Sequence, residues 1–313
     1  MIRLVELFSG IGAFSKALAN LGIPYERVAM CEIDPHAIKV YEALHGPTPN
    51  LGDISNVEHL PDCDLLTYSF PCQDLSNAGK KQGMSKGKNT RSGLLWEVER
   101  LLLDAREREG DGQKHLPRHL IMENVDAILY ATNMIDFEKW IKSLTYMGYT
   151  SSYAVLDASD YGVPQKRKRC FMVSAIGYDS LIFPPACPDG RVLKDILEED
   201  VPDKFYLSEK AMDGLRRHKL RHDSKGHGFG FRITDPAREK AGSVTAKSGW
   251  RNTDTFIEDR GSPGQKLMHV ADLPRGYDAV GRVYSPDGLS PTITTCGGGD
   301  RQPKILIEGE KDE

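Results

Sequence analysis

Cys72 stands between Pro71 and Gln73, just past the apolar, strand-like run from Asp64 to Ser69. Open α/β sheets place their ligands at the carboxyl ends of strands, so a thiol there is a candidate nucleophile. A free thiol has a pKa near ~8.5 and needs basic neighbours to ionise at neutral pH; the competing reading is a buried, inert cysteine. Glu123, in Glu123-Asn124-Val125, ends a later apolar strand and could hold a polar ring atom. Arg167 and Arg169, within Gln165 to Arg169, are two positions apart at the start of another strand, and the two-residue period of a strand would point both to one face. There they could hold Glu123 and a substrate carbonyl; otherwise they are surface arginines of an edge strand.

A second set of residues has the character of a cofactor site. Phe8-Ser9-Gly10-Ile11-Gly12 joins the first strand to the first helix, where glycines let a ligand approach the backbone at a helix N-terminus. Glu32 follows the second strand about twenty residues later, where an acid accepts from ribose hydroxyls. Asp53, in Gly52-Asp53-Ile54, could receive an adenine amino group. Singly, each acid reads equally well as a cap or turn residue; together the three positions fit an adenosine-containing cofactor.

The elements that must position these groups alternate in type. Strands are expected at Arg3 to Phe8, Arg27 to Cys31, Asp64 to Ser69 and His119 to Met122, and helices at Ala13 to Leu21, Ala37 to Leu44, Leu94 to Glu107 and Phe137 to Met147. Ser151 to Leu156 and Cys170 to Ala175 read as a pair able to run antiparallel. This alternation predicts an α/β fold, a doubly wound and mostly parallel sheet, over residues 1–183. Pro184, Pro185 and Pro188 mark a change to Gly-, Pro-, Arg- and Thr-rich sequence without helix–strand alternation after Leu215, so residues 184–313 are expected to form a smaller β-rich domain. Within it Arg232-Ile233-Thr234-Asp235 with Ser243 to Gly249, and Arg282-Val283-Tyr284-Ser285 with Pro291 to Gly297, form a weak internal repeat.

The ordered series Phe-x-Gly-x-Gly, Glu at the second strand, Gly-Asp-Ile, Pro-Cys-Gln, Glu-Asn-Val and Gln-x-Arg-x-Arg resembles the motifs of the DNA cytosine-5 methyltransferases, and spans residues 8–169. The resemblance implies a Rossmann-like methyltransferase sheet followed by a target-recognition domain, with S-adenosylmethionine as cofactor and double-stranded DNA as partner. It implies Cys72 as the nucleophile on carbon 6 of a flipped-out cytosine, Glu123 on ring nitrogen N3 and the exocyclic amine, Arg169 on the base carbonyl, and Arg167 orienting Glu123 and Cys72. By motif, the cofactor contacts are Phe8, Gly10, Gly12, Glu32, Ile33, Asp53, Ile54, Pro71 and Leu94. Lys80 and Lys81, in a Gly-hinged segment from Gln73 to Arg91, would close on phosphates, and Thr292, Gly297 and Gly298 would grip the flipped nucleotide's backbone. Arg216, Arg217, Arg221, Arg232 and Arg251 are candidates for guanine contacts.

The family continues past this point with an Arg-x-Leu-x-Pro-x-Glu helix and a Gly-Asn-x-Val segment, whereas here Gly299 is followed by Ile305-Leu306-Ile307 and a charged tail from Glu308 to Glu313. The expectation is therefore a methyltransferase lacking its last motifs, either shortened or completed by a second polypeptide. A catalytically idle DNA-binding homologue and an RNA cytosine-5 methyltransferase are the rival readings.

The composition is compatible with these assignments. A net charge of −4 does not by itself advertise a nucleic-acid binder, but the cations cluster in Gly79 to Arg91, in Gln165 to Arg169, and at Arg216, Arg217, Lys219 and Arg221. Each cluster alone reads as a solvated face, and three flanking the candidate chemistry read as a phosphate-tracking surface. The six cysteines are scattered, without a C-x-x-C pair, which argues against a disulfide framework or zinc, and no metal is expected. His218 and His222 lack further ligands. With no membrane-length apolar run and no signal-like N-terminus, the expected location is the cytoplasm.

Overall fold

The structure, a computed structural model, describes residues 1–72, 91–108, 115–197, 207–226, 233–242, 256–259, 266–269, 283–284 and 304–305. It divides into two units, one of Met1–Leu156 with Lys168–Pro185 and the other of Asp157–Arg167 with Ala186–Glu313.

The first unit is built on a six-stranded sheet of order β2-β1-β3-β4-β6-β5. Its strands are β1 (Ile2–Leu7), β2 (Tyr25–Cys31), β3 (Leu65–Tyr68), β4 (His119–Val125), β5 (Tyr149–Asp157) and β6 (Lys168–Ile176). Its helices are α1 (Ala13–Asn20), α2 (Pro35–His45), α3 (Leu95–Arg108) and α4 (Ala131–Tyr146). Strands β2, β1, β3 and β4 are mutually parallel, and β6 runs antiparallel to β4. Leu4, Val5 and Leu7 of β1 and all of β3 are buried, as a central parallel strand covered on both faces requires. The core continues through Leu95, Val98, Leu101 and Leu102 of α3 and Phe137, Trp140 and Leu144 of α4. Trp140 Nε1 finds its acceptor in the Tyr68 hydroxyl at 3.2 Å, so neither polar end is left unmatched in the interior.

Local chemistry sets the helix ends that matter for the site. Asp34 accepts from the amides of His36 (2.8 Å) and Ala37 (3.3 Å) ahead of Pro35, a cap that starts α2 two residues earlier than the apolar pattern indicates. Beneath α1 lies a buried carboxyl. Glu6 accepts from the Ser15 amide (3.2 Å), the Ser15 hydroxyl and the Tyr41 hydroxyl (2.6 Å), which ties β1 to both α1 and α2. Burial pushes this carboxyl up from its ordinary value.

Two expectations are corrected. Helix α4 begins at Ala131 rather than Phe137, and Arg167 precedes β6, which starts at Lys168, so only Arg169 of the two arginines lies in the strand.

In the second unit, residues 157–167 are held by the later chain. The Lys166 amide donates to Ala241 O (2.8 Å), Lys240 Nζ to Ser159 O (2.6 Å), and the Cys187 amide to Asp160 O (2.8 Å). A helix not anticipated from the sequence, α5 (Glu209–Asp223), packs Met212 and Leu215 with Phe256. Ile233–Thr234 (β7), Phe256–Asp259 (β8) and Lys266–His269 (β9) form a three-stranded sheet, and Val283–Tyr284 (β10) pairs with Lys304–Ile305 (β11). Most of the proposed internal repeat lies outside the described residues.

Candidate active site at the carboxyl edge of the sheet

Because β1, β2, β3 and β4 are parallel, the residues that follow them all emerge at one edge: Phe8, Glu32, Pro71 with Cys72, and the Glu123-Asn124-Val125 end of β4. Strand β6 runs the other way, so its beginning arrives at the same edge, with Arg169 opposite Val125 and Phe171 opposite Glu123. Glu123 and Arg169 are therefore diagonal neighbours on one face, within reach of long side chains. Arg169 Nε lies 3.0 Å from Glu123 Oε1, with the side chains 15% and 23% exposed, so the pair is shielded yet open on one side.

Cys72 is half-buried, and its approach is fixed from two directions. Asn124 Nδ2 donates to Phe70 O at 3.0 Å, and Ser92 Oγ donates to Pro71 O at 2.7 Å. The other buried thiols are of another kind. Cys31, Cys63 and Cys170 are buried, and burial pushes each up to about 12, Cys170 further raised by the Glu123 charge and Cys31 by those of Glu32 and Asp53. Such thiols stay protonated and unreactive.

Arg167 stands just ahead of β6. It belongs to the second unit, its amide donating to Asp157 Oδ1 and its carbonyl accepting from the Ala158 amide, each at 3.0 Å. The ion pair with Glu123 is made by Arg169.

The β1–α1 turn has an unusual backbone. Phe8, Gly10 and Gly12 have φ of 54°, 55° and 79°, and Phe8 is the non-glycine residue held in the left-handed region among the described residues. Such a conformation is disfavoured for a side chain by about 1–3 kcal/mol and is typical of ligand-binding turns. At Gly12 a Cβ would fall 2.5 Å from His45 Nε2 and 2.7 Å from Tyr41 Cε2, so the turn closes this tightly only with glycine. Glu32 locks it: Oε2 accepts from the Gly10 amide (2.9 Å), and Oε1 from the Ile33 (2.9 Å) and Asp34 (3.0 Å) amides.

Asn50, which the sequence reading missed, joins the neighbouring loop to this point. Its Oδ1 accepts from the amides of Glu32 (3.1 Å) and Gly52 (3.0 Å), and its Nδ2 donates to Glu32 O (3.0 Å). Asp53 then caps the turn Ile54–Asn56 through the Ser55 amide (2.9 Å). No local motif marks Asn50; Glu32, the partner it bonds twice, lies 18 positions away.

An adenosine-bearing molecule fits this region. Ile33 is an aliphatic side chain 69% exposed beside Glu32, a face on which a purine can lie. Ser9 Oγ is buried without a hydrogen-bond partner, a polar atom facing the turn that a ligand would satisfy. A carboxylate offers about four lone-pair sites, and the backbone contacts of Glu32 occupy three, which leaves room for a hydroxyl. Ile54 is packed in the core and Pro71 is buried, so contacts from these two would come from the backbone; Phe8 and Leu94 are partly buried at its margin.

Lys80, Lys81, Arg232, Arg251, Thr292, Gly297 and Gly298 lie outside the described residues. Arg216, Arg217, Lys219 and Arg221 are on the exposed side of α5.

The family profile for C-5 cytosine-specific DNA methylase matches residues 2–288 of this chain. The chain belongs to that family. It is a DNA cytosine-5 methyltransferase, with relatives among both orphan and type II enzymes. It is 41% identical to the orphan methyltransferase M.SssI of Spiroplasma monobiae, over 89% of this chain and 87% of that protein. It is 31% identical to the orphan methyltransferase M.Rho11sI of Bacillus phage rho11s, over 98% of this chain and 69% of that one. With type II methyltransferase M.NlaX of Neisseria lactamica it shares 29% identity over 85% and 82%. The fold of the C-5 methylase matches those of the Entamoeba histolytica methyltransferase EhMeth (TM-score 0.67, 15% identity, 87% and 83% covered) and S. pombe Dnmt2 (TM-score 0.63, 19% identity, 84% and 78% covered). Among the described residues no helix is long and apolar enough to cross a membrane.

Proposed function

We propose that Cys72 is the nucleophile of this methyltransferase, that Glu123 and Arg169 hold the target base, and that the Phe8–Gly12 turn with Glu32, Ile33 and Asp53 holds S-adenosylmethionine. The observation that carries the reading is the shared edge: a half-buried thiol, and a carboxyl–guanidinium pair brought there by an antiparallel strand.

The family takes its methyl group from S-adenosylmethionine, which supplies an electrophilic carbon when bound. Cys72 sulfur, as thiolate, forms a bond to carbon 6 of cytosine, and the displaced π pair makes carbon 5 nucleophilic. Glu123, carrying a proton when the base is bound, would donate it to N3 and accept from the exocyclic amine, which neutralises the charge that develops on the ring, with Arg169 orienting Glu123 and reaching the base carbonyl. Carbon 5 would take the methyl as its bond to the cofactor's sulfonium breaks, leaving the neutral thioether; loss of the carbon 5 proton to solvent then returns an electron pair to the ring and expels the Cys72 thiolate, restoring aromaticity. Access to carbon 6 requires the base to leave the stack, at about a few kcal/mol.

Residues 184–313 would read the target, with the exposed cations of α5 on phosphates or guanines. Arg167, two positions before Arg169 in the Gln-x-Arg-x-Arg motif, is carried over by that motif as a supporting residue. An intracellular setting, where DNA and cofactor meet, follows from the same reading.

The test is cofactor-dependent trapping on duplex DNA containing 5-fluorocytosine. The expected result is a denaturation-resistant adduct that requires S-adenosylmethionine and is absent in Cys72→Ser. Adduct formation by Cys72→Ser would overturn the assignment. The same assay addresses the second polypeptide expected from the motif comparison, since trapping by this chain alone removes the need for one.

A further inference from the structure

Cys72 lies four residues beyond Tyr68, the last residue of β3. The two peptides before it are each held from another element. Phe70 O accepts from Asn124 Nδ2 at 3.0 Å, and Pro71 O accepts from Ser92 Oγ at 2.7 Å; both donors are buried, Ser92 wholly so. Asn124 belongs to a motif already singled out. Ser92 belongs to none, and comes from the turn Arg91–Leu94 that leads into α3, 21 positions away.

The restraint acts on a particular torsion. The ring of Pro71 fixes its φ near about −65°, so the direction of the Pro71 carbonyl sets the one remaining soft dihedral before the planar peptide to Cys72. A hydrogen bond on that carbonyl therefore orients the Cys72 amide plane and the direction in which Cβ and Sγ leave the chain. A hydroxyl in a wholly buried place is costly unless paired, and the Ser92 hydroxyl donates to the Pro71 carbonyl.

We infer that Ser92 is a positioning residue for the nucleophile: its hydroxyl fixes the Pro71 peptide and so aims Cys72 Sγ at carbon 6. The inference rests on Cys72 being the nucleophile. Ser92 acts through the backbone, so its loss widens the spread of thiol positions and lowers the fraction of bound complexes in attacking geometry. Cofactor affinity rests mainly on the β1–α1 turn with Glu32 and Asp53, so the loss falls chiefly on the chemical step.

The experiment uses the full chain as Ser92→Ala and Ser92→Thr beside wild type and Cys72→Ser. Single-turnover methyl transfer and adduct formation on 5-fluorocytosine DNA are measured together with S-adenosylmethionine affinity and melting temperature. Ser92→Ala is expected to slow both chemical readouts about ten- to a hundredfold, the scale of a displaced reacting group, with cofactor affinity within about twofold. Ser92→Thr, which keeps the hydroxyl, is expected to recover most of the rate. Wild-type rates in Ser92→Ala overturn the inference. So do equal losses in the two variants, or a fall in cofactor affinity or melting temperature that matches the fall in rate, since those assign Ser92 to packing. Absence of adduct in wild type, or its presence in Cys72→Ser, instead strikes the reading of Cys72 and is distinguishable from either.

Discussion

Replacing Arg169 by Met removes the cation from Glu123 while keeping an unbranched side chain on β6. At an effective dielectric constant of about 20, opposite charges at the observed 3.0 Å attract by roughly 5.5 kcal/mol. Both groups are less than a quarter exposed, so their desolvation opposes much of that gain and the net coupling comes to about 2 kcal/mol. Arg169→Met alone is expected to cost about 2–3 kcal/mol, because it leaves a shielded carboxylate unpaired, whereas adding Glu123→Gln to it should return about 2 kcal/mol. The assay is a double-mutant cycle by urea unfolding, run beside adduct formation on 5-fluorocytosine DNA. Either single variant should lower adduct formation about a hundredfold or more, and the double variant should be little worse than the worse single one, because the two groups act on the base as one device. Additive losses in the cycle, with coupling below about 0.5 kcal/mol, would refute the reasoning.

Thiol chemistry gives a second check. With native protein, a small alkylating reagent should modify Cys72 and the exposed Cys187 while sparing Cys31, Cys63 and Cys170, as read by peptide mass spectrometry; early labelling of Cys170 would contradict its burial beside Glu123. Stability should also depend on pH through Glu6. Its carboxyl is raised above the ordinary 4.5 by burial, so the neutral acid is the form the fold favours; that contribution is full below about pH 4.5 and is lost as pH rises through the raised value. Glu6→Gln stays neutral and can still bond Ser15 and Tyr41, so its urea midpoint relative to wild type should move upward between about pH 5 and 8. A difference that stays constant over that range, or moves the other way, would show that Glu6 is not held against its charge.

The elements legible in the sequence are those whose apolar runs are bounded by Gly, Pro or a cap. Strands β1, β3 and β4 start and end within a few residues of where their patterns place them, and the groups after them fall at one edge because parallel strands require it. Helix α4 was foreshortened because its first turns carry buried polar residues, Asn133 bonded to Ala127 O at 2.8 Å and Asp136 paired with Lys139, which mask the apolar period. Helix α5 escaped notice because its buried residues, Ala211, Met212 and Leu215, end where the run of cations begins. The insertion of β6 between β4 and β5 rests on pairings between distant segments and has no local signal. Asn50 and Ser92 were illegible for the same reason: each bonds to main-chain atoms far away in sequence, and a lone Asn or Ser announces nothing.

The excursion of residues 157–167 bears on how such enzymes can be recombined. Between β5 and β6 the polypeptide leaves the first unit, is held by Ala241, Lys240 and Cys187, and returns. A specificity module transplanted by a single cut near Pro185 would strip that excursion of its anchors just ahead of Arg169. A working chimera has to exchange both pieces, the short one and everything after it, as a matched set from one parent.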